Sequence, residues 1–210
     1  MPTTQHETTS KMKLIVSLAA LLASVAVAQQ VTPDVTSMDY VGHDDTELIG
    51  FVAKPEGVSA ENPAPAVIII PDWDGNNFYE QQRVTMLAKE FGYIGFAADI
   101  YGKEFQVVEG DMRGTLARTY RSDAELFTQR MNSAIEIVKA MPEVDAENVA
   151  MIGYCFGGTG VLTYVLRGLN DVSGKSLIQP SSGALLYSDV LESCRFCSWR
   201  VELARTHQRY

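Results

Sequence analysis

Residues 149–166 read VAMIGYCFGGTGVLTYVL. A short apolar stretch at 149–152 runs into Gly153, Tyr154, Cys155 and Phe156, then a pair of glycines, after which apolar residues return at helical spacing. The pattern is G-x-C-x-G at a strand-to-helix turn. A nucleophile carried on so sharp a turn adopts a strained backbone, and the positions two before and two after it must be small for strand and helix to close on one another. Gly153 and Gly157 meet that requirement. The N-terminal N–H groups of the following helix then face the sulfur and favour the thiolate. The first of them, on Phe156, is placed to donate to a developing oxyanion. The plain alternative is a buried, inert cysteine in a glycine-bearing turn. The strand before and the helix after it favour the nucleophile.

Outward from this turn, strands alternate with helices. ELIGFVA at 47–53 reads as a strand, and the β-branched run at 67–70 has no polar alternation, as a strand buried on both faces requires. A helix fits 79–91, with Val84, Leu87, Ala88 and Phe91 on one face, and YIGFAADI is the next buried strand. Residues 118–141 carry Leu126, Phe127, Ile135 and Val138 at helical spacing, stopped by Pro142, and lead into the strand at 149–152. The spacing predicts an α/β fold with a mostly parallel sheet and helices on both faces. Ligands of such sheets bind beyond the carboxyl ends of the strands. There the sequence places residues 72–74 (Asp, Trp, Asp), Asp99 and Cys155.

GYCFGG, together with PDWDGNN some eighty residues earlier and VDAENVAMIGYCFGG leading into the turn, resembles the dienelactone hydrolase family of α/β-hydrolases over residues 36–174. The resemblance implies that Cys155 is the nucleophile of a hydrolase acting on small esters or lactones, with no metal or cofactor. It further implies that Asp72 stands where the family has an acid, usually glutamate, that contacts the cysteine and helps control its ionisation. By the same carry-over the Trp73 and Phe156 N–H groups form the oxyanion hole, and the substrate-binding arginine and tyrosine fall among Arg118, Tyr120 and Arg121.

Composition sets further bounds. The 210 residues suffice for one domain with a sizeable core. A net charge of -9 argues against a nucleic-acid partner. KMKLIVSLAALLASVAVAQQ, residues 11–30, has a basic start, an apolar run too short to span a bilayer, and small residues at Ala26 and Ala28. It predicts a signal peptide over 1–28, cleaved after Ala28, and a secreted product without a stable membrane span. The sequence does not set an oligomeric state.

After Gly174 the expected pattern stops. Residues 175–210 are net basic in an acidic chain, hold two of the three cysteines and one of the two tryptophans, and show no run comparable to AVIII. An α/β-hydrolase needs an acid and a histidine after its nucleophile, whereas the histidines here are His6, His43 and His207. The sequence therefore predicts a partial hydrolase domain over 35–174, missing C-terminal strands, a divergent tail over 175–210, and impaired activity. A catalytically inactive truncated isoform or incomplete gene model, acting at most as a binding protein, is the alternative. His207 with Asp189 or Glu192 is a conceivable replacement base and acid, and Cys194 with Cys197 has the C-x-x-C spacing of a redox motif, though a chance pair or local disulfide fits it better. With no strand to follow the turn helix, the second edge of the strand at 149–152 is expected to lie open and to promote aggregation unless ALLYSDVL at 184–191 docks there.

Overall fold

The computed structural model describes residues 33–106 and 110–178. Six strands, β1 (Thr36–Val41), β2 (Glu47–Ala53), β3 (Ala64–Ile70), β4 (Ile94–Ala97), β5 (Val144–Tyr154) and β6 (Gly174–Ile178), form one sheet in the order β1-β2-β4-β3-β5-β6. β1 and β2 make an antiparallel hairpin, and β2 runs antiparallel to β4. The remaining pairs, β4 with β3, β3 with β5 and β5 with β6, are parallel. The helices are α1 (Phe78–Phe91), α2 (Met112–Ser122), α3 (Ala124–Lys139) and α4 (Phe156–Leu166).

The unbroken run at 67–70 is explained by its two neighbours. Successive side chains of a strand point to opposite faces. Val67 and Ile69 pack with Val84, Leu87 and Ala88 of α1, while Ile68 and Ile70 join the larger cluster that includes Ala117, Phe127, Met131, Ile135 and Val161 of the other three helices. β3 is thus sandwiched between helical layers, and no position in it can be polar. α1 opens with a capping box: the Asn77 side chain accepts the Tyr79 N–H, and Glu80 Oε2 accepts the Asn77 N–H. Among the described residues no helix is long and apolar enough to cross a membrane.

Three expectations need correction. The helix expected over 118–141 is two helices, α2 and α3, broken at Asp123, whose carboxylate accepts the Leu126 N–H at 2.9 Å and caps α3. The second edge of β5 is not open: β6 pairs with it from Ala150–Gly174 to Tyr154–Ile178, so the strand partner begins at the point where the sequence pattern was expected to fail. Backbone pairing carries no side-chain signature, and GKSLI lacks the apolar run of β3. The antiparallel β1 escaped notice altogether, because it is an edge strand with only Tyr40 buried. The segment 184–191, Cys194, Cys197, His6 and His207 lie outside the described residues.

The cap and the core make different demands on α3. Asp123→Ala is expected to cost about 1 kcal/mol in urea unfolding. Phe127→Ala, which empties a site only 1% exposed and removes the ring stacked on Phe156, should cost about 3–5 kcal/mol.

Candidate active site

At the carboxyl end of β5 the backbone of Cys155 has φ 46 and ψ -103, one of two non-glycine residues with positive φ among the described residues. For a residue with a Cβ this conformation is strained, and close packing on both sides holds it. A Cβ at Gly153 would overlap the Gly157 carbonyl, and one at Gly157 would overlap the carbonyl oxygens of Ile70 and Pro71 at the end of β3. These are backbone atoms with no freedom to yield. The turn therefore closes only with glycine at both positions, and closing brings Cys155, a reduced and partly exposed thiol, beside the loop that follows β3.

Phe156 anchors the start of α4. Its fully buried ring stacks on Phe127 at 4.7 Å and 14° and lies 5.4 Å from Tyr101, with the Arg121 guanidinium 5.5 Å from its centroid. As the first residue of the helix, Phe156 has an N–H without an intrahelical acceptor. Tyr101 reaches across to the neighbouring loop, where its hydroxyl donates to the Trp73 carbonyl at 3.1 Å.

The loop after β3 is a run of short hydrogen bonds. The Asp74 N–H donates to Asp72 Oδ1 at 3.0 Å, Asn77 Nδ2 donates to Asp74 Oδ1 at 2.8 Å, and the Asn77 N–H donates to Glu80 Oε2 at 3.1 Å. Burial, with Asp74 adding to it, pushes the Asp72 carboxyl up to about 7, against the pull of Arg113. Glu80, with no exposed surface, is pushed up to about 8 by burial and then by the charge of Asp72. Both groups thus titrate near neutrality, where a carboxyl is suited to general acid–base work.

A family model for the dienelactone hydrolase family matches residues 48–175. The chain belongs to the dienelactone hydrolase family. A curated relative from Synechocystis sp. (strain ATCC 27184 / PCC 6803 / Kazusa), provisionally named a carboxymethylenebutenolidase, is 29% identical over 129 residues, which are 59% of this chain and 50% of the relative. This chain thus spans half the length of the curated relative it matches. Among solved structures it resembles the dienelactone hydrolase-like promiscuous phosphotriesterase P91 from metagenomic libraries, with 28% identity and a TM-score of 0.63 over 77% of this chain and 65% of that one. A protein designated m3DLH shares the fold at 21% identity, with a TM-score of 0.62 over 81% of this chain and 78% of that one. The fold is the α/β-hydrolase type.

Set against the residues that the resemblance to dienelactone hydrolases singled out, the structure brings Cys155, Phe156, Asp72 and Trp73 to one edge of the sheet. The substrate-binding expectation fares differently. Tyr120 is buried among Tyr101 and Phe127, Arg118 faces solvent, and only Arg121 leans over the site through Phe156. The second cation near the acid loop is Arg113, in the first turn of α2, which pulls the Asp72 carboxyl down and which no sequence signal singled out. Asp99 serves the fold: its carboxylate accepts the N–H groups of Ile49, Tyr101 and Gly102, and its own N–H donates to the Tyr40 hydroxyl. His43, the one histidine among the described residues, has its Nε2 3.0 Å from Glu136 Oε2 on α3. No group of three or more His, Cys, Asp or Glu residues suited to a metal ion occurs among the described residues.

Sequence reasoning missed Glu80, because glutamate near a helix start reads as a solvated residue. Its upward shift carries a signed consequence. The native state holds a proton that the unfolded chain releases near 4.5, so stability falls as pH rises from about 4.5 to about 8. Glu80→Gln abolishes that loss. The melting temperature of the variant should gain on that of the parent across this window, by a shift equivalent to on the order of a few kcal/mol at its alkaline end.

Proposed function

We propose that this chain is a cysteine hydrolase of small esters or lactones. The observation that carries the reading is the positive φ of Cys155, sustained by two glycines packed on backbone, at the start of a helix and beside a partly buried acid. A buried structural thiol has no use for such strain. The family, and the lactone-cleaving name of the Synechocystis relative, support the substrate class.

In this reading Asp72, titrating near neutrality, accepts the thiol proton. The sulfur attacks the acyl carbon, a C–S bond forms, and the tetrahedral oxyanion takes the N–H groups of Phe156 and Trp73. Collapse breaks the C–O bond, the leaving alkoxide takes the proton held by Asp72, and the alcohol departs, or the ring of a lactone opens. Water then attacks the thioester and returns the acid and the thiol. Arg121 over Phe156 and Arg113 near Asp72 supply positive potential beside the thiol, and no cofactor enters. The apolar run before Ala28 supports delivery through the secretory pathway, with Gln29 as the first residue of the secreted chain.

With p-nitrophenyl acetate the expected outcome is a burst of about one p-nitrophenol per chain and an acetyl adduct on the peptide that carries Cys155. Turnover after the burst should be slow, since His43, the one histidine among the described residues, is engaged by Glu136, and general-base help to water is worth about 10²–10⁴ in rate. Cys155→Ala should abolish both burst and adduct. A folded chain that forms no adduct would favour the alternative of a non-catalytic binding protein. Edman sequencing of material from the culture medium should begin at Gln29.

A further inference from the structure

Glu80 has a place in the site that the ester chemistry leaves unexplained. It is fully buried, its Oε2 is used by the Asn77 N–H, and its Oε1 has no hydrogen-bond partner. A buried carboxylate oxygen without a partner is costly, whereas a protonated one is far less so. The charged and titratable groups around it come from three elements. Asp72 and Asp74 face it from the loop after β3, and Tyr154, whose phenol burial pushes up, faces it from the end of β5, one residue before the thiol. Tyr79 and Arg83 lie on its own helix, the Arg83 guanidinium 4.8 Å from the Tyr79 ring centroid and the Tyr79 ring edge-on to Tyr154 at 5.7 Å. Glu80 also ends the hydrogen-bonded path that begins at Asp72 and passes through Asp74 and Asn77.

We propose that Glu80 is a positioning residue that works as a neutral acid: from the far end of the 72–77 turn it holds that turn, and with it the Trp73 N–H, beside Cys155 only while it keeps its proton. When it ionises, a third carboxylate joins Asp72 and Asp74 in a pocket that offers its free oxygen no donor. The Asn77 N–H bond favours the ionised form but serves only Oε2, so the turn must open to admit water to Oε1. The consequence for the site is an alkaline limit set by Glu80 and independent of the thiol. The link to ester cleavage rests on the hydrolase reading above, but the link between Glu80 and the turn does not.

The test follows the turn and the chemistry in parallel. In a Trp199→Phe background Trp73 is the sole tryptophan, so its emission reports the turn. Emission and the enzyme-dependent rate with p-nitrophenyl acetate are recorded across the neutral and alkaline range, with and without Glu80→Gln. The amide of glutamine can accept the Asn77 N–H and does not titrate. The expected result is an emission transition centred near pH 8 in the parent and none in Glu80→Gln. The parent rate should fall about tenfold between neutrality and one unit above that midpoint, while the variant holds its own neutral rate across the same span. Should Glu80→Gln not fold, Asp72→Asn serves instead, because removing the charge that raises Glu80 must move the transition to lower pH. Emission that does not titrate in the parent, or that titrates alike in both variants and the parent, overturns the proposal whether or not ester is cleaved. A transition lost in Glu80→Gln in a protein that cleaves no ester upholds the role of Glu80 and removes the hydrolase reading alone.

Discussion

Gly157 rests against the carbonyl oxygens of Ile70 and Pro71, with no room for a Cβ between them. That approach ties the first turn of α4 to the end of β3, although the two are far apart in the chain. It forces the tight turn at Cys155, sets the direction of the helix N–H groups, and brings the start of α4 against the end of β3, where the loop bearing Asp72 begins. Any side chain at Gly157 would push α4, with Cys155 and Phe156, away from the end of β3 and its loop. The strain at Cys155 persists because the sheet on one side and the helix on the other leave the backbone no alternative path.

The aromatic cluster beneath the turn makes this contact stiff. Phe156 is held between Phe127 of α3 and Tyr101 beyond β4, and Tyr120 of α2 packs on both of those rings. The Tyr101 hydroxyl then bonds to the Trp73 carbonyl. The two residues expected to supply the oxyanion hole are thus linked through Tyr101, whose ring packs on Phe156 and whose hydroxyl bonds the Trp73 carbonyl, so core packing bears on the loop position of Trp73.

Legibility followed burial. The run at 67–70 could be read because a strand enclosed by helices admits only apolar side chains, and the turn at Cys155 could be read because its glycines are demanded by backbone contact. β1 and β6 could not, since an edge strand and a strand built on GKSLI owe their place to backbone pairing, to which sequence pattern is blind. The break between α2 and α3 was readable in principle: Asp123 before AELF is a capping residue, and the apolar period running through it hid the signal. At the candidate site the sequence put Cys155 and residues 72–74 at one edge of the sheet, where the structure has them, but the faces of α2 were not legible. Tyr120 went to the core, while Arg113 acts on Asp72 and Arg121 lies over the Phe156 ring.

Glu80 shows why the charge of the site escapes sequence reasoning. Asp72 and Asp74 in the loop after β3 and Glu80 in the first turn of α1 would, if all were ionised, repel the thiolate and the oxyanion of the proposed reaction. Composition counts three negative charges there. Burial changes the count, since it pushes Asp72 up to about 7 and Glu80 up to about 8, so near neutrality Glu80 is largely an uncharged acid and Asp72 exchanges its proton freely. Arg113, which acts on Asp72, and Arg121, over the Phe156 ring, then meet a net negative charge much smaller than the sequence implies. The protons of Asp72 and Glu80 are held by burial, and the burial is produced by the packing of α1 and α4 against the end of β3.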